Sequence, residues 1–194
     1  MNKNLSGVHG RRMPMKWGLI VMAVVVLWPA RATAALTINE AQSCVEIVVA
    51  ATGDSFTGRL AHYQADVGVE QGRVVSAVIR FRFGDVHTGR ESRDEEMHDW
   101  QDTRKHPDGM FTLAELEPAG GRFKAHGTLV LHGVSRKIVF PVSVITDRTL
   151  YAIDGVVRLD TRDFDLPVLR KFWLLRVDPV VKVRFHLQGT TAGH

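Results

Sequence analysis

Apolar and polar residues alternate with a period of two along residues 123–144. Two runs of this alternation are separated by Gly133-Val134-Ser135, where the glycine can adopt the positive φ that a tight turn requires. A period of two places every second side chain on the same face of a β-strand. The pattern therefore predicts a β-hairpin with one apolar face. Its apolar positions are Phe123, Ala125, Gly127, Leu129 and Leu131 in the first strand and Ile138, Phe140, Val142 and Val144 in the second.

The same alternation is clear at residues 74–83, 151–160 and 181–188, and weaker in three shorter stretches. About eight strands joined by short turns are typical of an all-β antiparallel sandwich or of a closed barrel. Closure removes the exposed edge strands. A barrel of about eight strands has an interior that is either filled by side chains or holds one small ligand. The strand pattern alone leaves both interiors open.

One short helix is predicted between the strands. Ser92 and Glu95 have the spacing of a capping box, which marks a helix start. Met97 and Trp100 are three residues apart and therefore lie on one face of the helix. We expect the helix to end by residue 106, before Pro107-Asp108-Gly109.

The first 34 residues have the composition of a secretory signal peptide. A basic segment precedes an apolar run at residues 17–28, and Ala32-Thr33-Ala34 follows as a small-x-small cleavage signature. The apolar run is shorter than the roughly 20 residues that cross a bilayer, which disfavours a retained membrane anchor. We expect residues 1–34 to be cleaved and residues 35–194 to form a single periplasmic domain. The pair Arg11-Arg12 leaves the twin-arginine route open beside the general one.

Charge and cysteine content exclude a nucleic-acid partner and an internal disulfide. Five of the 25 basic residues and none of the 21 acidic residues lie in the leader. The cleaved chain would therefore contain 20 basic and 21 acidic residues. No basic run remains to neutralise phosphates, which excludes a nucleic-acid partner. Cys44 is the single cysteine, so an internal disulfide is excluded, and we expect it to be a small core residue.

Several motifs together resemble the YceI-like family. Residues 127–136, GTLVLHGVSR, are similar to its GxLTLHGVTK hairpin, and residues 88–97 contain its TG, RD and Leu/Met pattern. Residues 106–111, HPDGMF, are similar to its YPxxxF. Residues 162–164, RDF, and 177–183, VDPVVKV, resemble its C-terminal motif. These motifs keep the order of the family over nearly the whole mature chain, although Asp165 stands where glycine is usual and His106 where tyrosine is usual.

The resemblance implies an exported, lipocalin-like antiparallel β-barrel whose channel binds a long isoprenoid chain. A polyprenyl alcohol, a polyprenyl phosphate and an isoprenoid quinone are all compatible with it, for transport, storage or stress protection. We accordingly expect a binding protein rather than an enzyme, with no cofactor other than the bound lipid. A monomer or a homodimer is expected, with at most transient contact with a membrane surface.

The candidate ligand-binding residues are the apolar rows of the predicted strands and the apolar face of the predicted helix. Burial of apolar surface at roughly 25 cal/mol per Å² would drive binding, with few polar contacts to orient the chain. These residues are Val75, Ala77, Ile79, Phe81, Leu129, Leu131, Ile138, Phe140, Val142, Val183, Phe185, Leu187, Met97 and Trp100. Four basic residues near the predicted mouth are candidates for a phosphate or lipid headgroup, with ordinary surface charge as the alternative: Arg162, Arg170, Lys171 and Arg176.

Two other hypotheses stay open. His126, His132 and His186 share the parity opposite to the apolar rows. A metal-assisted oxidoreductase would need three or four such ligands to converge, whereas outward-facing histidines on a barrel are solvated, so we assign no metal-ligating and no catalytic residue. The second alternative is an interaction protein whose barrel is packed shut.

Overall fold

The computed structural model describes residues 33–168, 170–171 and 175–192. Residues 1–32 of the expected signal peptide lie outside this part of the chain, so the leader stays a prediction. No helix among the described residues has the length and apolar composition needed to cross a membrane.

The described residues are mostly strands, with one α-helix, α1 (Glu91–Gln101), and three 3-10 turns at Glu40–Gln42, Phe83–Asp85 and Thr161–Phe164. The strands are β1 (Ala34–Ile38), β2 (Cys44–Ala51), β3 (Asp54–Leu60), β4 (Tyr63–Glu70), β5 (Arg73–Arg82), β6 (Val86–His87), β7 (Asp108–Ala119), β8 (Arg122–Leu131), β9 (Val134–Asp147), β10 (Leu150–Asp160), β11 (Arg170–Lys171), β12 (Leu175–Arg176) and β13 (Val180–Thr191).

Eight antiparallel strands close into a barrel, which confirms the predicted fold class and selects the barrel over the sandwich. The strand order is β1-β4-β5-β7-β8-β9-β10-β13, and β13 pairs again with β1. On that side β13 is shared, because Gly189–Thr191 pairs with β1 whereas Lys182–His186 pairs with β2. The strands β2, β3 and β6 therefore extend the wall at one end of the barrel, and α1 contacts β6 there.

The turn of the β8–β9 hairpin lies one residue earlier than the sequence pattern predicts. Leu131 pairs with Val134, so the turn consists of His132 and Gly133 alone. Both residues have positive φ, 49° and 75°, as a two-residue turn of type I′ requires. The prediction that His132 shares the outer strand face with His126 is therefore wrong.

A bulge in β5 corrects the prediction for Val75. Gly68 of β4 pairs with Ser76 and Val69 pairs with Val74, so Val75 is the extra residue between the two pairs. An extra residue reverses the alternation, so Val74 takes the inward position. Val75 is 44% exposed and does not line the interior.

The predicted capping box at Ser92 is also wrong. The helix α1 begins at Glu91 with Arg90 as N-cap, and the side chain of Arg90 makes no capping hydrogen bond. Ser92 lies inside the first turn, because the amides of Arg93 and Asp94 bond to the carbonyl of Arg90. The helix ends at Gln101, within the predicted limit of residue 106, and Asp102 after it adopts the left-handed conformation with φ 49°.

The four basic residues near the predicted mouth lie on the last 3-10 turn and on a short strand pair. Arg170 and Lys171 form β11, which pairs antiparallel with β12. Arg162, which is exposed on the last 3-10 turn, forms an ion pair with Asp160, and its Nε lies 2.9 Å from Oδ1. The side chains of Arg170, Lys171 and Arg176 fall outside what the structure describes, so their role at the mouth stays a prediction.

Candidate functional site

The barrel encloses a cavity of about 530 Å³. Ligand pockets in proteins have volumes of about 300–1,000 Å³, so this interior is large enough for a small lipid. Thirteen of the fourteen residues that the sequence singles out line it, all except Val75. The thirteen are Ala77, Ile79, Phe81, Met97, Trp100, Leu129, Leu131, Ile138, Phe140, Val142, Val183, Phe185 and Leu187.

Phenylalanine rings in the wall lie flat against glycines of the neighbouring strand. Gly155 of β10 pairs with Phe185 of β13, and Gly109 of β7 pairs with Phe81 of β5. A Cβ atom added to either glycine would overlap the facing phenyl ring. The glycines thus allow large aromatic side chains to cover the sheet and leave the centre of the barrel open.

Three phenylalanines form a connected aromatic cluster inside the barrel. The ring centroid of Phe140 is 5.5 Å from that of Phe111 and 6.0 Å from that of Phe185, the second pair being perpendicular. Edge-to-face contacts of this kind add to the stabilisation that area burial provides. The cluster gives the wall a rigid apolar surface with which a hydrocarbon chain can pack.

The helix α1 contributes one whole face to the cavity. Arg93, Met97 and Gln101 follow each other at intervals of four residues, with Glu96 and Trp100 beside them, and all five line the cavity. Trp100 Nε1 donates a 2.7 Å hydrogen bond to the carbonyl of Pro167. This bond attaches α1 to the loop that follows the last 3-10 turn.

Arg93 is held against an aromatic ring at the same end. Its guanidinium carbon lies 4.4 Å from the ring centroid of Phe56 in β3. This is the geometry of a cation–π interaction. The side chain therefore connects α1 to the wall formed by β2 and β3.

Asp94 fixes the start of the helix to the segment before it. Its Oδ1 accepts hydrogen bonds from the amide of Thr88 at 2.9 Å and from the hydroxyl of Thr88 at 2.6 Å. Burial opposes ionisation, but the two bonds from Thr88 and the nearby His87 outweigh it and lower the pKa of Asp94. Asp94 is therefore an anchor of α1 and not a candidate proton donor.

The polar groups of the cavity are confined to one end. Besides α1, they come from the β2–β3 turn and from the segments at residues 161 and 178. These segments meet each other, because the amide of Asp178 bonds to the carbonyl of Ala50 and the amide of Thr161 to that of Pro179. The strands away from this end contribute apolar lining residues only. The cavity thus suits a ligand with a long apolar part and a polar end.

The family model of the YceI-like domain matches residues 32–189. The chain belongs to the YceI-like family. Among solved structures, BcnA of Burkholderia cenocepacia is 22% identical with a TM-score of 0.70, over 79% of this chain and 99% of BcnA. A polyisoprenoid-binding domain of Saccharophagus degradans, implicated in plant cell wall breakdown, is 20% identical with a TM-score of 0.65, over 82% and 99%.

The YceI protein of Campylobacter jejuni is 16% identical with a TM-score of 0.59, over 71% of this chain and 85% of that protein. Comparison with curated proteins gave no match. At these identities the structural likeness concerns the fold, which is the lipocalin-like barrel of the YceI-like family.

The two positions that depart from the YceI-like pattern have defined roles in this chain. Asp165, where glycine is usual, adopts the left-handed conformation with φ 58°, which aspartate tolerates better than most residues. His106, where tyrosine is usual, packs on His132 with ring centroids 4.2 Å apart. His132 Nδ1 in turn lies 3.2 Å from the carbonyl oxygen of Phe164, so this pair connects the β8–β9 turn to the 3-10 turn.

The other histidines named from the sequence pair with carboxylates on the barrel exterior. His126 Nε2 is 2.8 Å from Glu117, which lowers the pKa of that carboxyl, and His186 Nδ1 is 2.7 Å from Asp154. Among the residues that the structure describes, no three histidine, cysteine or acidic side chains are grouped closely enough to hold a metal ion.

Sequence reasoning missed many of the lining residues, and two groups show why. Val45, Ile47 and Val49 alternate visibly in β2 and could have been included on that signal. In β7, Phe111, Leu113 and Leu116 all line the cavity although they do not share one parity, because the pairing with β8 shifts between Leu113 and Glu115. No period-two pattern identifies such a row.

Proposed function

We propose that this YceI-like protein binds a long isoprenoid lipid, with the chain inside the barrel and the polar end near α1. The observation that carries the proposal is the apolar cavity of about 530 Å³ whose polar lining groups are gathered at one end. The polyisoprenoid-binding domain of similar fold supports the choice of lipid. The role requires no catalytic group, and transport, storage and protection are all served by reversible binding.

Export to the periplasm is part of the same proposal. It is supported by the signal-peptide composition of residues 1–34. Cleavage after Ala34 would preserve the pairing of Leu36 in β1 with Val67 of β4 and with Thr191 of β13. N-terminal sequencing of protein isolated from the periplasm tests this, and a chain that begins at Ala35 is expected. An intact leader on the isolated protein would contradict export with cleavage.

Native mass spectrometry of the purified protein, followed by organic extraction of any released molecule, tests the binding. We expect a stoichiometric adduct whose extracted component is a polyprenyl alcohol, a polyprenyl phosphate or an isoprenoid quinone. A bare protein mass in repeated preparations, together with no uptake of added isoprenoid, would contradict the proposal.

A further inference from the structure

Gln101 is one of the polar residues at the α1 end of the cavity. It is the last residue of α1, has no exposed surface, and forms part of the cavity wall. Neither its amide nitrogen nor its amide oxygen has a hydrogen-bond partner. Buried amides in proteins are normally paired, because burial removes their hydrogen bonds to water. An unpaired one at the wall of a ligand cavity points to a partner supplied by the ligand.

The nearby polar groups do not supply that partner. The indole nitrogen of Trp100 bonds to Pro167, and the carboxylate of Asp94 bonds to Thr88. His98 Nε2 and Thr103 Oγ1 are also buried and unpaired, but neither residue lines the cavity. Of these three buried and unpaired side chains, Gln101 is therefore the one that forms part of the cavity wall.

We propose that the amide of Gln101 hydrogen-bonds an uncharged oxygen of the lipid, either a hydroxyl or a carbonyl. This assignment rests on the proposed function and narrows it to a prenol or a quinone. A carboxamide places a donor beside an acceptor, so it can pair with a hydroxyl through both atoms and with a carbonyl through Nε2. Three side-chain torsions let the amide turn towards a ligand that enters the cavity.

The surroundings favour a neutral group over a phosphate. Arg93, the cation on the lining face of α1, lies eight residues before Gln101, which is roughly 12 Å along a helix at about 1.5 Å per residue. Its guanidinium lies over the ring of Phe56. Among the side chains that the structure describes, no cation lines the cavity beside Gln101, so a phosphate there would lose its hydration without gaining an ion pair with any of them. A hydroxyl or carbonyl has far less hydration to lose.

The test compares two probe lipids of the same carbon skeleton, geranylgeraniol and the hydrocarbon that lacks its hydroxyl. Binding of each is measured by displacement of a fluorescent fatty probe from the wild-type protein and from Gln101→Leu. We expect Gln101→Leu to bind the alcohol about three- to tenfold more weakly, the range of one lost hydrogen bond, and to bind the hydrocarbon at least as well as before.

Met97→Leu is the matched control, because Met97 lies one turn earlier on the same lining face and carries no amide. It should not change the ratio of the two affinities. Gln101→Met serves as a second variant that keeps the side-chain length, in case Gln101→Leu does not fold.

An equal loss for both lipids, or an unchanged affinity for the alcohol, would overturn the assignment of Gln101 while leaving lipid binding intact. If the wild-type protein binds neither lipid, the proposed function fails and the assignment fails with it. Tighter binding of geranylgeranyl phosphate than of the alcohol, unaffected by Gln101→Leu, would also overturn the choice of an uncharged group.

Discussion

The strands of the barrel and the helix α1 line the same cavity with different chemistry. Away from the α1 end, the strands contribute aliphatic and phenyl groups, whereas α1 alternates Met97 and Trp100 with three polar residues, Arg93, Glu96 and Gln101. Apolar burial is proportional to area and has no preferred direction. Hydrogen bonds, in contrast, require a particular geometry.

This difference suggests that the strands and α1 have different roles in one site. Under the proposed function, the wall supplies most of the free energy of binding to any long apolar chain, and α1 determines which end of the chain lies beside it. Substitutions in the wall should therefore change affinity for all lipids alike. Substitutions in α1 should change orientation, choice of head group or rate of release.

The largest effect is expected from a charge placed in the wall. Phe140→Asp should reduce lipid retention by about tenfold or more, because a buried phenyl group contributes about 1.5–3 kcal/mol and a carboxylate in its place must lose its hydration. Retention is measured as the adduct fraction in native mass spectra. Val139→Asp is the matched control, because the neighbouring side chain points outward and is 56% exposed. Equal retention in two folded variants would contradict the assignment of Phe140 to the lipid-binding wall.

A smaller effect on lipid binding is expected when an uncharged group is added to the wall. In Gly155→Ala, the new methyl group overlaps the ring of Phe185 and displaces it into the cavity. Overpacking of this kind costs about 1–3 kcal/mol, and the space left for lipid decreases. Calorimetric unfolding and lipid titration measure the two consequences. Gly84→Ala is the control, since no atom lies within 4 Å of a Cβ added there.

The anchor of α1 should affect stability more than affinity. Asp94→Ala removes the acceptor of both Thr88 bonds and is expected to lower the free energy of unfolding by about 1–3 kcal/mol. Urea titration measures this change. Glu95→Ala provides the comparison, because Glu95 is the next residue of the helix and is exposed. A loss as large in Glu95→Ala would show that acidic charge near the helix start, and not the Thr88 contact, is responsible.

The pH dependence of stability gives a second test of that anchor. The pKa of Asp94 is lower in the folded protein than its ordinary value of 3.8. Its stabilising contribution is therefore complete above about 3.8 and is lost as the pH falls through the depressed pKa. Wild-type stability should fall more steeply over that acidic range than the stability of Asp94→Ala. Parallel curves would show that the carboxylate is not stabilised by folding.

The smallest effect is expected at the bond between α1 and the loop. Trp100→Phe removes the hydrogen bond to Pro167 and keeps most of the apolar surface. We expect lipid to dissociate about two- to tenfold faster, as one lost hydrogen bond implies, with little change in the unfolding transition. Stopped-flow transfer of a fluorescent lipid to acceptor vesicles measures the rate, and Met97→Leu is the reference for altered packing. An unchanged rate of dissociation would mean that this hydrogen bond does not limit lipid release.

Regular alternation was sufficient to predict the lining rows of β8, β9 and β13, where apolar residues recur at every second position. The family motifs supported closure into a barrel. The prediction was wrong at Val75, because a bulge in β5 reverses the alternation of inward and outward side chains. No residue type at that position indicates a bulge. The turn at His132 was misplaced because His132 continues the alternation of the strand, and positive φ is uncommon for any residue other than glycine.

The helical side of the cavity was harder to predict. Met97 and Trp100 were found because apolar residues on one helix face indicate a contact. Arg93 and Gln101 lie on the same face but are polar, so a hydrophobicity pattern assigns them to solvent. Only the packing of α1 on β3 and β6 shows that their side chains are enclosed. Polar residues that serve a ligand therefore need the structure to be recognised.

The shared strand β13 also determines when the barrel can form. It closes the ring by pairing Leu36 near the start of the domain with Thr191 near its end, and it forms the only link of β10 to β1 and β2 within the described sheet. Contacts between residues so distant in sequence form slowly, because the whole intervening chain must first be confined. A growing chain cannot complete this sheet before its last strand is synthesised. A chain truncated before β13 would therefore leave the sheet open between β10 and β1.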